Sequence, residues 1–308
     1  MKRIPIYLAA TVLATGVSAV LAAPAQAVPA VMHFESAPIP SNSSSPKTVV
    51  AYCPANSFVL GGGAHIDGAE GEVALVEARP VVDLSLAPPF KRSFRVTASE
   101  RTGGTAKTWS LKASVYCTSD TVTVIKEGQS NLDSAPIKSV PTPACPGGMK
   151  VVGAGGYVSI EGNPGFSSLE TTPVRIQRFA PDDSLNFSSA RATESGGILD
   201  DQYPGNWRVH AVAMCAYSYA FPGLELRPNT VSSWLLPWKP PAKATIACSP
   251  GKRLLGAGAD LQDDGAASFL QWAIRTNLTN TKVSTEAVAE NGSSPLVTLK
   301  AYAICASG

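Results

Sequence analysis

The chain has 308 residues, 44% hydrophobic and 16% charged, and its 25 basic and 23 acidic side chains leave a formal net charge of +2. Lys and Arg are scattered and form no run, which excludes the electrostatic footprint of a nucleic-acid-binding protein. Gly, Pro, Val, Thr and Ser are frequent, and no apolar stripe with helical period occurs beyond the N-terminal segment. The composition therefore predicts an all-β protein.

The N-terminus has the pattern of a secretory signal peptide. Lys2 and Arg3 precede an apolar run, 4–23, and Ala25-Gln26-Ala27 is a small-x-small cleavage site. No later apolar segment is long enough to span a bilayer, so we expect no transmembrane anchor. We predict a secreted mature chain that begins at Val28 and has no net charge, because both N-terminal charges leave with the signal.

One sequence unit occurs three times in the rest of the chain. Each copy opens with a cysteine followed by glycines eight and ten positions later, in C-P-A-N-S-F-V-L-G-G-G-A, C-P-G-G-M-K-V-V-G-A-G-G and C-S-P-G-K-R-L-L-G-A-G-A. Each copy closes on a hydrophobic segment that ends in a second cysteine. We therefore divide the chain into a signal peptide, 1–27, and three β repeats, 28–118, 119–216 and 217–308.

Four or five antiparallel strands are predicted in each repeat. Recurrent glycines in the first of them indicate a bulge or a tightly packed crossing of strands. Glycine turns join the last two strands, and the closing strand alternates apolar with polar residues. The residues predicted to face the core are Trp109, Leu111, Ala113, Val115 and Cys117, then Trp207, Val209, Ala211, Ala213 and Cys215, then Val297, Leu299, Ala301, Ala303 and Cys305.

Six cysteines in an exported chain indicate disulfides, and the repeat selects the pairing. A zinc site is not predicted, because no C-x-x-C spacing occurs and the chain has only three histidines. The predicted bonds join the opening and closing cysteine of each repeat: Cys53 with Cys117, Cys145 with Cys215 and Cys248 with Cys305.

Titratable residues form no recognised catalytic pattern. His210 has the outward parity of its strand and is predicted to be a solvated surface side chain. The alignment of repeats places Glu77 and Glu170 at one position, and this is the carboxylate pair that a glycan-cleaving enzyme would use. A glutamate that recurs in all three units has a simpler structural interpretation, and this set is Glu100, Glu194 and Glu290.

An acidic cluster and three tryptophans are the remaining candidates for ligand binding. Asp260, Asp263 and Asp264 are predicted to form a solvated acidic turn, with Ca²⁺ binding as the alternative, and we expect no metal or cofactor. Trp234 and Trp238 lie in the proline-rich lead-in to the third repeat, where they either cover a sheet edge or form a sugar-stacking platform. Trp272 is a further aromatic candidate.

The unit C-P-x-G-x-x-V-x-G-x-G, closed by a hydrophobic strand ending in Cys, resembles the repeat of secreted actinobacterial triple-repeat proteins. It also resembles, more distantly, the C-P-x-G units of vitelline-membrane outer-layer protein I. The resemblance covers most of 48–308 and implies a β-prism, three antiparallel sheets around a pseudo-threefold axis, with three tandem β-sandwiches as the alternative. Similar folds in lectins bind sugars in end loops, which implies ligand loops at Asp67–Glu72, 162–165 and Asp260–Gly265.

These observations favour a secreted, disulfide-stabilised and non-enzymatic protein that is a binding or structural module for a cell-envelope glycan or an extracellular protein partner. The ligand-binding candidates are Trp234, Trp238, Trp272, Asp67, Asp260 and Asp263. The alternative is a glycan-cleaving or glycan-transferring enzyme that uses a carboxylate pair.

Overall fold

The computed structural model describes residues 30–69, 72–83, 91–101, 104–161, 171–172, 174–194, 203, 205–234, 242–263, 270–271, 274–276, 282–289 and 296–307. The regular structure in these ranges is β, apart from one 3₁₀ turn at Ser218–Ala220. The all-β class predicted from the composition is confirmed.

The strands follow the three repeats along the chain. The first repeat contains β1 (Met32–Glu35), β2 (Lys47–Tyr52), β3 (Phe58–Asp67), β4 (Val73–Asp83), β5 (Lys91–Arg101) and β6 (Ser110–Thr118). The second contains β7 (Val124–Gln129), β8 (Ile137–Pro141), β9 (Met149–Ile160), β10 (Thr171–Thr172), β11 (Val174–Pro181), β12 (Ser188–Glu194) and β13 (Trp207–Tyr217). The third contains β14 (Glu225–Trp234), β15 (Ala242–Ala247), β16 (Lys252–Asp263), β17 (Leu270–Gln271), β18 (Ile274–Thr276), β19 (Lys282–Ala289) and β20 (Leu296–Ser307).

Each side of the molecule combines strands from two repeats. The first sheet runs β10-β5-β4-β9-β13-β7, with β2 also paired to β5, so strands of the first repeat pair with strands of the second. The second sheet runs β8-β12-β11-β16-β20-β14 and joins the second repeat to the third in the same way. The third side contains the sheet β1-β6-β3 and the sheet of β15, β17, β18 and β19, with β18 next to β3.

Three glycines from the three repeats meet at the centre of this arrangement. A Cβ atom built on Gly61 would lie 2.7 Å from Gly256 Cα, one on Gly256 would lie 2.8 Å from Gly153 Cα, and one on Gly153 would lie 2.9 Å from Gly61 Cα. Each approach is closer than a real Cβ contact allows, so only glycine fits at these three positions. The cyclic contact defines the pseudo-threefold axis. It also explains why a glycine lies eight residues after each opening cysteine.

A β-bulge precedes each of these glycines. The register of the central strand shifts between Val59 and Gly61 in the first repeat, and equivalent shifts occur before the axial glycines of the other two. The bulged residues are Leu60, Val152 and Leu255, all buried. Both features predicted from the glycines, a bulge and a tight crossing, are therefore confirmed.

The three repeats share one main hydrophobic core. It includes side chains from every repeat, among them the fully buried Trp109, Ile176 and Leu254. A shared core and strand pairing between repeats are not the arrangement of three tandem β-sandwiches, so that alternative is wrong. The predicted disulfides are confirmed, since the bonds join Cys53 to Cys117, Cys145 to Cys215 and Cys248 to Cys305.

The strand count is higher than the four or five per repeat that the sequence predicts. The additional strands include the lead-in segments β1, β7 and β14, which pair with the closing strands β6, β13 and β20. These segments lie at sheet edges and their burial is partial, so their sequences lack the clear alternation of a half-buried strand.

Candidate functional site

The recurrent glutamates have a structural role in the two repeats where they are described. Glu100 Oε1 accepts a hydrogen bond from Trp109 Nε1 at 3.1 Å, and Glu194 Oε1 accepts one from Trp207 Nε1 at 2.8 Å. All four side chains are buried. The structural interpretation is confirmed for this pair of glutamates, and Glu290 lies outside the described residues.

The structure brings few of the predicted ligand residues into a describable site. Asp67 is exposed at the end of β3, whereas Asp260 lies inside strand β16, is 2% exposed, and its Oδ2 lies 3.8 Å from Arg178 Nη1. Asp260 therefore belongs to a strand and not to a solvated loop, because the pairing of β16 with β20 continues through it. Trp234 and Asp263 end strands β14 and β16, and Trp238 and Trp272 lie outside the described residues.

Both carboxylate oxygens of Glu77, one half of the predicted carboxylate pair, accept hydrogen bonds from neighbouring side chains. Its Oε1 accepts from Arg79 Nε at 2.6 Å and from Arg95 Nη2 at 2.7 Å, and its Oε2 accepts from Thr97 Oγ1 at 2.9 Å. Glu77 pairs with Tyr157 across the junction of the first two repeats.

The register corrects the alignment of this carboxylate between repeats. Tyr157 and Asp260 occupy the same position in their repeats. Glu77 pairs with Tyr157, and Arg178 pairs with Asp260. Arg178, and not Glu170, is therefore the equivalent of Glu77. Glu170 lies outside the described residues.

A hydrogen-bonded set of three side chains, which we call the serine array, lies on the outer face of the first sheet. It consists of Ser159 on β9, His210 on β13 and Glu127 on β7. His210 Nε2 is 2.9 Å from Ser159 Oγ, and His210 Nδ1 is 2.9 Å from Glu127 Oε1. Since His210 Nδ1–H donates a hydrogen bond to the carboxylate, Nε2 of the neutral ring is the acceptor for the serine hydroxyl.

The prediction that His210 is a solvated surface residue is wrong, because neighbouring strands cover it. His210 is 6% exposed, and its ring stacks on that of Tyr157 with the centroids 4.0 Å apart. The Arg79 guanidinium lies over the opposite face of the Tyr157 ring at 4.0 Å, and Tyr157 Oη donates to Glu127 Oε1 at 2.6 Å. The order Arg79, Tyr157, His210 therefore forms a continuous stack on the sheet.

Burial changes the proton affinities of this stack. The pKa of His210 is lowered from its usual value of 6.5, chiefly by burial, although the hydrogen bond to Glu127 opposes the change. The pKa of Tyr157 is raised, chiefly by burial and then by its hydrogen bond to Glu127. Both rings are therefore neutral at pH 7, which keeps His210 Nε2 available as an acceptor.

The serine array is specific to the second repeat. At the positions of Ser159, His210 and Glu127 the first repeat has Asp67, Lys112 and Glu35, and the third has Gln262, Lys300 and Pro228. In the first repeat Lys112 and Glu35 form a plain ion pair. The second repeat alone combines a hydroxyl, an imidazole and a carboxylate at these positions.

A second feature is a pair of exposed aromatic rings at one end of the second repeat. Tyr217 and Tyr219, the tyrosine pair, are 36% and 66% exposed, and their ring centroids are 5.1 Å apart with an interplanar angle of 23°. The backbone N–H of Ser218, between them, donates to Gly148 O at 3.2 Å, and the buried Phe221 closes the turn through its own N–H. The 3₁₀ turn is thus fixed to the start of β9 and holds the rings in solvent.

A polar turn, Asp182–Phe187, is fixed to the same strand end. Val151 N donates to Leu185 O at 2.7 Å, and Lys150 Nζ donates to Asn186 Oδ1 at 2.8 Å. Burial opposes ionisation of Asp182, but hydrogen bonds from Phe187 N, Ser184 Oγ and Asn186 N hold its pKa below the ordinary value. Since Tyr217 pairs with Met149 and the polar turn bonds to the next two residues, rings and polar groups are attached to one short segment.

Reasoning from the sequence missed both features. Unlike residues at equivalent repeat positions are the signal that would have found the serine array, because residues required by the fold recur in all copies. The tyrosine pair lies just after a closing cysteine, in Cys215-A-Y-S-Y, where the other repeats have Cys117-T-S-D-T and Cys305-A-S-G.

The fold and these surfaces define a disulfide-stabilised β-prism of three repeats with unlike outer faces. The chain matches no protein-family model, and a search of curated proteins finds no match. Within the described ranges no helix is long and apolar enough to cross a membrane. In that same part of the chain, no cluster of three His, Cys, Asp or Glu side chains could hold a metal ion.

Proposed function

We propose that the protein is a secreted binding module for a cell-envelope glycan, and that the tyrosine pair is its sugar-contacting surface. The observation that carries the proposal is the exposure of two adjacent rings, Tyr217 and Tyr219, on a fixed turn. Large apolar rings in water on a rigid element are typical of recognition surfaces.

The polar turn supplies the second half of a sugar site. Sugars present apolar C–H faces beside hydroxyl groups, so their binding combines an aromatic ring with amide, carboxylate or ammonium groups. Asn186 and Lys150 provide such groups from the strand end that also holds the tyrosine pair. Their hydrogen bond to one another fixes their positions before a ligand arrives.

The signal peptide predicted from the sequence and the three disulfides support the extracellular part of the proposal. Structural disulfides are typical of oxidising compartments, and each repeat here has one. The resemblance to secreted triple-repeat proteins and to vitelline-membrane outer-layer protein I agrees with this assignment.

The test is binding of oxidised residues 28–308 to an array of glycans and cell-wall polymers. We expect saccharide-specific binding that weakens at least about tenfold in Tyr219→Ala, as expected when a central aromatic contact is removed. Tyr52→Ala, which removes a tyrosine that is 45% exposed on the first repeat, is the matched control and should bind as the parent does. Trp234→Ala and Trp238→Ala test the alternative platform in the third lead-in.

The proposal is wrong if no glycan binds, or if Tyr217→Ala and Tyr219→Ala both bind with the affinity of the parent protein. If only the tryptophan variants lose binding, the glycan site lies in the lead-in to the third repeat and not at the tyrosine pair.

A further inference from the structure

We infer that Ser159 is a nucleophile, activated by His210 and Glu127, that accepts the acyl group of a small carboxylic ester. This inference concerns a different surface from the tyrosine pair and does not depend on glycan binding. It rests on the geometry of the serine array: Ser159 Oγ to His210 Nε2 is 2.9 Å and His210 Nδ1 to Glu127 Oε1 is 2.9 Å. Hydroxyl, imidazole and carboxylate in this order are the arrangement that activates a serine.

The surroundings of His210 hold the ring in one orientation. Tyr157 stacks on it with an interplanar angle of 9°, and the Tyr157 hydroxyl donates to the same Glu127 oxygen that His210 Nδ1 contacts. Glu127 therefore fixes the tautomer in which Nε2 is unprotonated and faces the serine. In the first repeat, an ion pair between Lys112 and Glu35 occupies the same position. The fold therefore needs only a polar contact between these strands, and does not require a serine, a histidine and a glutamate there.

The reaction steps balance without any additional reagent except water. Ser159 Oγ forms a bond to the acyl carbon while its proton moves to His210 Nε2, and collapse of the intermediate breaks the ester bond as the alcohol leaves with that proton. Water then attacks the acyl group, gives a proton to His210 and releases the carboxylic acid, and the proton returns to Ser159. The net reaction is an ester and water giving an acid and an alcohol.

Arg208 brings a positive charge close to the imidazole of the serine array. Arg208 is the direct cross-strand partner of Ser159, and its Nη1 donates to Gln129 Oε1 at 3.0 Å. Its charge lies close enough to His210 to act on the imidazole pKa.

The size of the substrate follows from burial. Ser159 is 9% exposed, so we expect a small acyl group such as acetyl to reach its hydroxyl more readily than a long one. We therefore expect acetyl esters to react and long-chain acyl esters not to react.

The test is labelling of oxidised residues 28–308 with a small fluorophosphonate probe, located by peptide mass spectrometry, together with hydrolysis of p-nitrophenyl acetate and octanoate. We expect a label on Ser159 that falls to background in Ser159→Ala, and acetate hydrolysis that exceeds octanoate hydrolysis. Ser232→Ala, which changes an exposed serine on β14, should label as the parent does.

The variant His210→Lys distinguishes a loss of serine reactivity from a loss of folding. It installs the residue that the first repeat has at this position, so the contact to Glu127 persists as an ion pair, but a protonated lysine cannot accept the serine proton. We expect a folded protein without label, and Glu127→Gln labelled at least about tenfold more slowly. The inference is overturned if the parent is unlabelled, if the label lies elsewhere, or if His210→Lys labels at the parent rate.

Discussion

Glu100 Oε1 accepts a hydrogen bond from the indole N–H of Trp109, and both side chains are buried between the last two strands of the first repeat. Glu100 Oε2 also accepts from Thr105 N at 2.9 Å, so one carboxylate fixes the turn that joins β5 to β6. The Lys47 ammonium lies 4.1 Å from the centre of the indole. Lys138, Trp207 and Glu194 repeat this arrangement in the second repeat.

Replacing Glu100 with alanine should destabilise the protein by about 1–3 kcal/mol, because the buried indole N–H and the Thr105 N–H both lose their acceptor. The measurement is the free energy of unfolding from urea denaturation. Glu161→Ala removes a carboxylate whose hydrogen bond to Asn206 is exposed, and should change stability by less than about 0.5 kcal/mol. Equal effects of the two substitutions would contradict the structural role of Glu100.

Replacing a glycine at the pseudo-threefold axis with alanine should lower the stability of the protein far more than the same substitution in a turn. In Gly153→Ala the new Cβ would lie 2.1 Å from Leu60 O and 2.9 Å from Gly61 Cα, so backbone atoms of two repeats must separate. We expect a loss of more than about 3 kcal/mol, or no folding. Gly147→Ala is the control, because a Cβ there meets nothing within 4 Å.

Thermal denaturation of both alanine variants gives the comparison. If Gly153→Ala melts within a degree or two of Gly147→Ala, the three glycines are not in contact at the axis.

Removing one disulfide should have nearly the same effect in each repeat. The bonds span 64, 70 and 57 residues, and loop entropy then predicts roughly 4 kcal/mol each, with differences of only about 0.2 kcal/mol. Three double Cys→Ala variants, compared by urea denaturation, measure this. A difference of several kcal/mol among them would show that native packing around the sulfurs, and not loop closure, dominates.

The sequence predicts those parts of the fold that depend on local patterns. Alternation from Trp109 into β6 places Trp109 and Leu111 in the core, and the repeat itself selects the disulfides, because both signals lie within one unit. The glycine spacing likewise predicts a bulge and a crossing, although it does not reveal that the crossing joins three repeats.

The site depends on contacts that no local pattern contains. His210 is buried because Tyr157 on β9 and Glu127 on β7 reach it from neighbouring strands, and a bulge at Val152 sets the register between β9 and β13. Glu77 lies 24 residues after its opening cysteine, whereas the equivalent Arg178 lies 33 residues after its own. Alignment by residue count misses this equivalence, because the segment before the strand is longer in the second repeat.

Burial of neutral His210 makes stability depend on pH. Its folded pKa lies below 6.5, so the unfolded chain takes up the proton first and stability falls as the pH drops below that value, levelling off below the folded pKa. Glu127 opposes the lowered pKa, while Arg208 and Arg79 act in its favour. Above about pH 7 the full contribution is present.

The measurement is the change in unfolding free energy between about pH 7.5 and 5.5 in the parent and in His210→Gln. We expect a smaller change in the variant, because it removes one group that protonates on unfolding. Identical pH dependence would mean that His210 is not buried in its neutral form. His33, whose pKa is also lowered chiefly by burial, contributes equally to both proteins.

The three repeats close into one prism with a shared core and with strands paired across the repeat boundaries. Differential scanning calorimetry of oxidised residues 28–308 is the measurement that tests this closure. One core predicts a single transition whose calorimetric and van't Hoff enthalpies agree. Three separable transitions, or a van't Hoff enthalpy near one third of the calorimetric value, would show three independent units and contradict the account.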